Sequence, residues 1–251
     1  SDVYKRQLML QPTRGVIFVS QVVRLANRLT DRPGLMARVI PNGIDADGFA
    51  SAARPGAFRA ELGVGAKVPL LLMAAQMVPW KGHVLLIRAV KLLKDTWPEL
   101  VAVIAGADLF GEHGGYEASL RRLVSQLGLT DSVRLVGYRT DMPTLIADCD
   151  VVVIPSEAEP FGRVALEAMA LGRPTVGMAA GGLREVVADG ETGLLVPERS
   201  VAALAEAMGR ILSDPSLGAA MGAKALERVR SEFSAAAHAR TVTRFYEDIL
   251  A

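Results

Sequence analysis

The chain has 251 residues, 51% hydrophobic and 5% aromatic, so it can bury a sizeable core, and its Ala, Val, Leu and Gly suit helices layered on a parallel sheet. Its 28 basic and 27 acidic residues leave a net charge of +1, which argues against a polybasic nucleic-acid surface and leaves any anion to be bound locally. The single cysteine, Cys149, excludes an intramolecular disulfide, and no apolar run reaches the roughly 18 residues of a membrane span, so a cytoplasmic, soluble protein with at most peripheral membrane contact is expected.

Residues 1–7, SDVYKRQ, share no periodicity with the rest of the chain and look like a non-native leader, similar to a translated sequencing-adapter scar. Residues 15–20 then read as a strand, 21–29 as a helix and 36–40 as a second strand that closes on an Asn42-Gly43 turn. From 45 to 67 the composition shifts to Ala, Gly, Arg and Pro, which predicts a linker with one helical piece at 57–62. An unbroken apolar run at 68–74 reads as a strand covered on both faces; the turn AAQMVPWKGH leads from it into a helix over 83–94. A strand at 100–105 precedes a glycine-rich loop, 106–115, that matches neither a dinucleotide fingerprint nor a P-loop. His113 in that loop reads as a solvated surface residue. A helix over 116–127 ends at Gly128, and the strand at 133–136 carries Gly137, Tyr138 and Arg139 at its carboxyl end. After a short helix at 142–147, Asp148-Cys149-Asp150 stands before a strand, the wrong end of a sheet for a ligand, and is not read as a metal site. A strand at 174–178, a Gly181-Gly182 loop, a strand at 193–196 and helices at 200–212, 215–230 and 235–250 complete the chain. The strand-helix alternation predicts an α/β fold with a doubly wound parallel sheet.

Between Val151 and Gly172 a buried strand passes through a polar turn into an apolar helix that begins at Gly162. Such a helix start offers unpaired backbone N–H groups and the positive end of a dipole, which suits a phosphate. Glu159 lies in the turn and Glu167 five residues past Gly162, roughly 7–8 Å along the helix at about 1.5 Å per residue. Carboxylates accept hydrogen bonds from sugar hydroxyls, so the pair suits a sugar on either side of a phosphate. On spacing alone, the two glutamates fit an ordinary helix start and helix surface equally well.

With its flanking strand and glycines, Glu159-x7-Glu167 in EPFGRVALEAMALGRPTV, followed by GGLREVVADGETGLLV, resembles the donor-binding signature of retaining GT4 glycosyltransferases of GT-B fold. The resemblance runs from about residue 38 to the C-terminus. It implies a remnant of an N-terminal domain at 8–40, a linker at 41–66, a Rossmann-like domain binding a nucleoside-diphosphate sugar at 67–233, and a C-terminal crossover helix at 234–251 whose apolar face, with Phe245, Tyr246 and Ile249, is under-covered. Lys81 would hold the donor diphosphate together with backbone around Gly162, Arg163 and Val164. Glu159 would hold sugar hydroxyls, with backbone at Phe161, and Glu167 the ribose diol. Gln76 stands where the family places an arginine, which removes a fixed charge from the phosphate site. Tyr138 lies in the loop near the base, and Arg139 is either a base contact or a surface charge. Gly181-Gly182 would approach the donor sugar, and Glu185 is read as pairing locally in preference to binding ligand. No cofactor and no metal are implied, the nucleotide sugar being a substrate. The expected partners are that donor, an unknown acceptor and a missing N-terminal domain that holds it, without which the chain would not catalyse transfer. Two alternatives stay open: a non-catalytic nucleotide-sugar-binding domain, suggested by Gln76, and a nucleotide-sugar epimerase on the same fold.

Overall fold

The computed structural model describes residues 13–27, 33–109, 111, 113–197 and 199–251. The leader expected at 1–7 and the end of the helix expected over 21–29 lie outside the described residues. Strand β1 (Gly15–Phe18), helix α1 (Gln21–Leu25) and strand β2 (Met36–Val39) come first, β1 and β2 pairing in parallel as a small sheet. Helices α2 (Ala46–Ser51) and α3 (Ala57–Leu62) come next. Then come β3 (Leu70–Ala74), α4 (His83–Leu93), β4 (Val101–Ala105), α5 (Tyr116–Gln126), β5 (Val133–Gly137), α6 (Met142–Asp148), β6 (Val151–Ile154), α7 (Arg163–Ala170), β7 (Thr175–Met178), α8 (Leu183–Val186) and β8 (Gly193–Val196). Helices α9 (Val201–Ser213), α10 (Pro215–Glu232) and α11 (Ala235–Leu250) close the chain.

The six later strands form one parallel sheet in the order β5-β4-β3-β6-β7-β8. Its strands are apolar throughout because both faces are covered. Leu71 and Met73 of β3 point to one face, against α4, α5 and α9; Leu70 and Leu72 point to the other, against α3, α6 and α7, the period of two that a strand imposes. Helix starts match their local sequence where capping is local. Ser200 accepts the N–H of Ala203 at 3.2 Å, and Asp214 accepts those of Ser216 and Leu217 before Pro215-led α10.

Two expectations need correction. The segment expected as a linker contains a second helix, α2, begun by Asp45 accepting the N–H of Gly48 at 3.0 Å, and it is packed rather than free, with Phe58 only 1% exposed. Its anchor is Asp148, whose buried carboxylate accepts the N–H groups of Gly56, Phe58 and Arg59 at 2.6, 2.8 and 3.0 Å. Asp150 is engaged by Arg59 and the N–H of Leu70, so both carboxylates of the triplet serve the fold. Between them Cys149 is fully buried, which pushes its thiol up to about 12. The apolar face of α11 is also better covered than expected. Phe245 is buried, and the missing side chain of Gly15 makes room for it: a Cβ there would lie 2.2 Å from Ile249 Cδ1 and 2.9 Å from the Phe245 ring. Arg38 of β2 pairs with Asp248 at 3.0 Å, while Tyr246 stays exposed. Among the described residues no helix is long and apolar enough to cross a membrane.

Candidate functional site

Successive crossovers run from β3 outward to β5, then return to β6 on the other side of β3. The loops leaving the carboxyl ends of β3 and β6 therefore diverge and open a crevice, the place where parallel sheets hold ligands. Two cavities meet there. One of about 420 Å³ lies between the β3 and β6 loops and is lined by Gln76, Trp80, Lys81, Glu159, Gly162 and Arg163 among others. The second, about 240 Å³, continues towards β4 and β5 and is lined by Tyr138, Arg139 and Glu167. Ala74, Ala75, Gln76 and Val164 belong to both, so the trough is continuous. A further cavity of about 430 Å³ with Lys67, Asp150 and Arg173 sits at the amino-terminal edge, where the Asp150 carboxylate is already held by Arg59 and Leu70.

Glycines bring the loops of the crevice together. A 3-10 turn at Pro79–Lys81 ends at Gly82 with φ of 84°, where a Cβ would stand 2.1 Å from the Pro155 carbonyl oxygen. Glu157 then donates its N–H to the Trp80 carbonyl at 2.9 Å. On the opposite side Gly181, with φ of 59°, would place a Cβ 2.1 Å from the Glu159 carbonyl oxygen, which accepts the N–H of Gly182 at 2.7 Å. The Gly181-Gly182 loop thus meets the Glu159 turn directly.

Within that frame Lys81 Nζ donates to Glu159 Oε2 at 2.7 Å, with the two side chains 15% and 12% exposed. The ammonium also lies 4.3 Å from the Trp80 ring centroid. Helix α7 starts behind Gly162 with no side-chain cap, and among the described residues the N–H groups of Arg163 and Val164 have no protein acceptor. One turn later Glu167 is largely buried. Burial pushes its carboxyl above the usual carboxylate range, opposed by the Arg163 guanidinium at 3.4 Å, itself mostly in solvent. A cation, unpaired amides and two carboxylates thus share one trough.

Other sequence-selected residues sort differently. Gln76 lines both cavities and brings no charge. Phe161 is core, its ring edge-on to Phe233 at 6.2 Å, so only its backbone is available to a ligand. Tyr138 stands exposed at the lip of the second cavity. Arg139 is fully engaged: it donates to Glu61 at 2.6 and 2.9 Å and to Asp141 at 2.9 and 2.8 Å, which holds its guanidinium well above its ordinary range. Glu185 serves the fold over a long range, accepting the N–H groups of Gln21 and Val22 at the start of α1. Trp80 is the residue that sequence reasoning missed; its only signal was an aromatic ring next to Lys81.

The chain has counterparts among known proteins in sequence and fold. Residues 56–228 match the family model described as Glycosyl transferases group 1. The D-inositol 3-phosphate glycosyltransferase of Kineococcus radiotolerans is 36% identical over 248 residues, covering 88% of this chain and 57% of that protein. The chain therefore spans little more than half the length of this curated relative. Among solved structures, Anabaena Alr3699/HepE in complex with UDP-glucose matches with a TM-score of 0.83 and 29% identity, over 94% of this chain and 64% of that one. Sucrose-phosphate synthase from Thermosynechococcus elongatus matches with a TM-score of 0.82 and 31% identity, over 94% and 58% of the two chains. The chain belongs to the glycosyl transferases group 1 family, and its six-stranded parallel sheet is the fold of GT-B glycosyltransferase neighbours.

Proposed function

We propose that this chain binds a nucleoside-diphosphate sugar and supplies the donor half of a retaining, metal-independent glycosyl transfer. The observation that carries this is the placement of largely buried Glu167 one turn beyond the uncapped start of α7, in a trough that also holds Lys81. Its carboxylate, 14% exposed and 3.4 Å from the Arg163 guanidinium, keeps acceptor capacity that the two hydroxyls of a ribose diol can use. The diphosphate then falls between Lys81 and the amides of Arg163 and Val164, and the sugar reaches Glu159. In the reaction the acceptor oxygen bonds to the anomeric carbon as the bond to the diphosphate oxygen breaks. Lys81 and the helix start stabilise the charge gathering on the diphosphate, which takes the acceptor proton. On this scheme the domain provides neither base nor cofactor.

The acceptor must be held by residues outside this trough, and the purified chain alone is expected to bind donor without transferring the sugar. A second reading, binding without catalysis, is favoured by neutral Gln76 at the junction of both cavities. The tests are direct. Calorimetry with UDP, GDP, ADP and their sugars identifies the donor, uridine being the first choice because the Anabaena neighbour was solved with UDP-glucose. Failure of every nucleoside diphosphate to bind would refute both readings. Glycosyl transfer by the isolated chain would refute the division of labour. If Gln76 marks loss of catalysis, a chimera carrying a relative's N-terminal half binds donor and stays inactive until Gln76→Arg is introduced.

A further inference from the structure

We propose that Trp80 is a positioning residue that fixes Lys81 for the donor diphosphate, an inference that rests on the donor-binding reading above. Trp80 is 37% exposed at the wall of the 420 Å³ cavity, and the Lys81 ammonium lies over its ring, 4.3 Å from the centroid. The backbone that carries the ring is held at the mouth of the β6 loop, since the Trp80 carbonyl accepts the N–H of Glu157 at 2.9 Å.

Lysine carries its charge on a long flexible stem, so an ammonium ordered before the ligand arrives binds phosphate without the loss of rotamer freedom that a loose one suffers. Two groups order this one, and they differ in kind. Glu159, at 2.7 Å, holds Lys81 but also neutralises it and competes with the incoming phosphate. Trp80 attracts the cation through the negative face of its ring, which has no net charge to oppose an anion. The distinction matters because cationic help in this trough is scarce. Gln76 is neutral, Arg163 is 83% exposed and turned to Glu167, and Arg139 is spent on Glu61 and Asp141. When phosphate draws Lys81 from Glu159, the ring keeps the ammonium aimed into the cavity.

The experiment is a double-mutant cycle read by calorimetric titration of UDP, GDP and ADP into the folded chain: wild type, Trp80→Phe, Trp80→Leu, Lys81→Met, and Trp80→Leu with Lys81→Met. Thermal melts verify that each variant unfolds cooperatively. Trp80→Leu should weaken the best-binding diphosphate by about fivefold, the scale of one partly exposed cation–π contact, and Trp80→Phe by no more than about twofold. With Lys81 already replaced, Trp80→Leu should cost nothing more. A loss of the same size in both backgrounds overturns the inference, because it means that the ring acts on the ligand or the fold and not through Lys81. So does wild-type affinity in Trp80→Leu, or a loss in Trp80→Phe equal to that in Trp80→Leu. Failure of the wild type to bind any of the three diphosphates overturns the donor-binding reading itself, and this inference with it.

Discussion

Glu167 answers to two opposed demands, and mutation can separate them. Burial raises its pKa, so ionised Glu167 costs the folded state something that protonated Glu167 does not. The stability linked to its raised pKa is present below the unfolded carboxylate value and is lost as pH rises through the folded one. Glu167→Gln should therefore raise the melting temperature at pH 7 in a thermal scan while weakening every nucleoside diphosphate tenfold or so, the scale of a lost charged hydrogen bond. Donor affinity in the wild type should fall as pH drops through the raised pKa, because the protonated carboxyl gives up acceptor capacity; the variant should show no such fall. Glu159 acts differently. Glu159→Gln keeps an oxygen for Lys81, so calorimetry should find weaker binding of the sugar-bearing donor and unweakened binding of the plain diphosphate. Equal losses for both ligands would contradict the roles assigned. Both glutamates could be picked out in the sequence because their spacing brackets a helix start inside a longer segment that resembles a donor-binding signature; the spacing alone left them undecided. The engagement of Arg139 was not, because Glu61 lies 78 residues away and no local pattern announces it.

Helices α3 and α4 show where local pattern ends. The strand at β3 and the apolar helix after it were legible as unbroken and periodic runs, but α3 begins at a bare glycine and is capped by a carboxylate 90 residues distant. Asp148→Ala strips three backbone N–H groups of their acceptor, and urea unfolding should record a loss of about 3 kcal/mol. Helix α4 starts with His83 buried, its ring edge-on to Tyr116 at 5.7 Å, and neither ring nitrogen has a partner among the described residues. Burial pushes its pKa down to about 4 from 6.5, so the unfolded chain takes up a proton that the folded chain refuses. Stability should thus decline by about 3 kcal/mol as pH falls through that window. Urea unfolding measured across that pH range should show a flatter profile for His83→Leu than for the wild type; an identical slope would mean that other groups control it.

At the scale of the molecule, the order of the strands decides where a ligand can sit. Strand-helix alternation predicted a doubly wound parallel sheet but not which strand makes the return; it is β6 that comes back beside β3, and that return opens the trough between residues 76–82 and 155–163. Lys81 and Glu159, 78 positions apart in sequence, meet because of it. The donor should act as a ligand of the native state only and raise the melting temperature with concentration. The most direct test of the donor site is calorimetric titration of UDP, GDP and ADP into the wild type and into Lys81→Met. One of the three should bind with one site per chain, and Lys81→Met should weaken it at least tenfold while remaining folded. Binding of none, or equal binding by both proteins, would contradict a diphosphate site at the β3–β6 crevice.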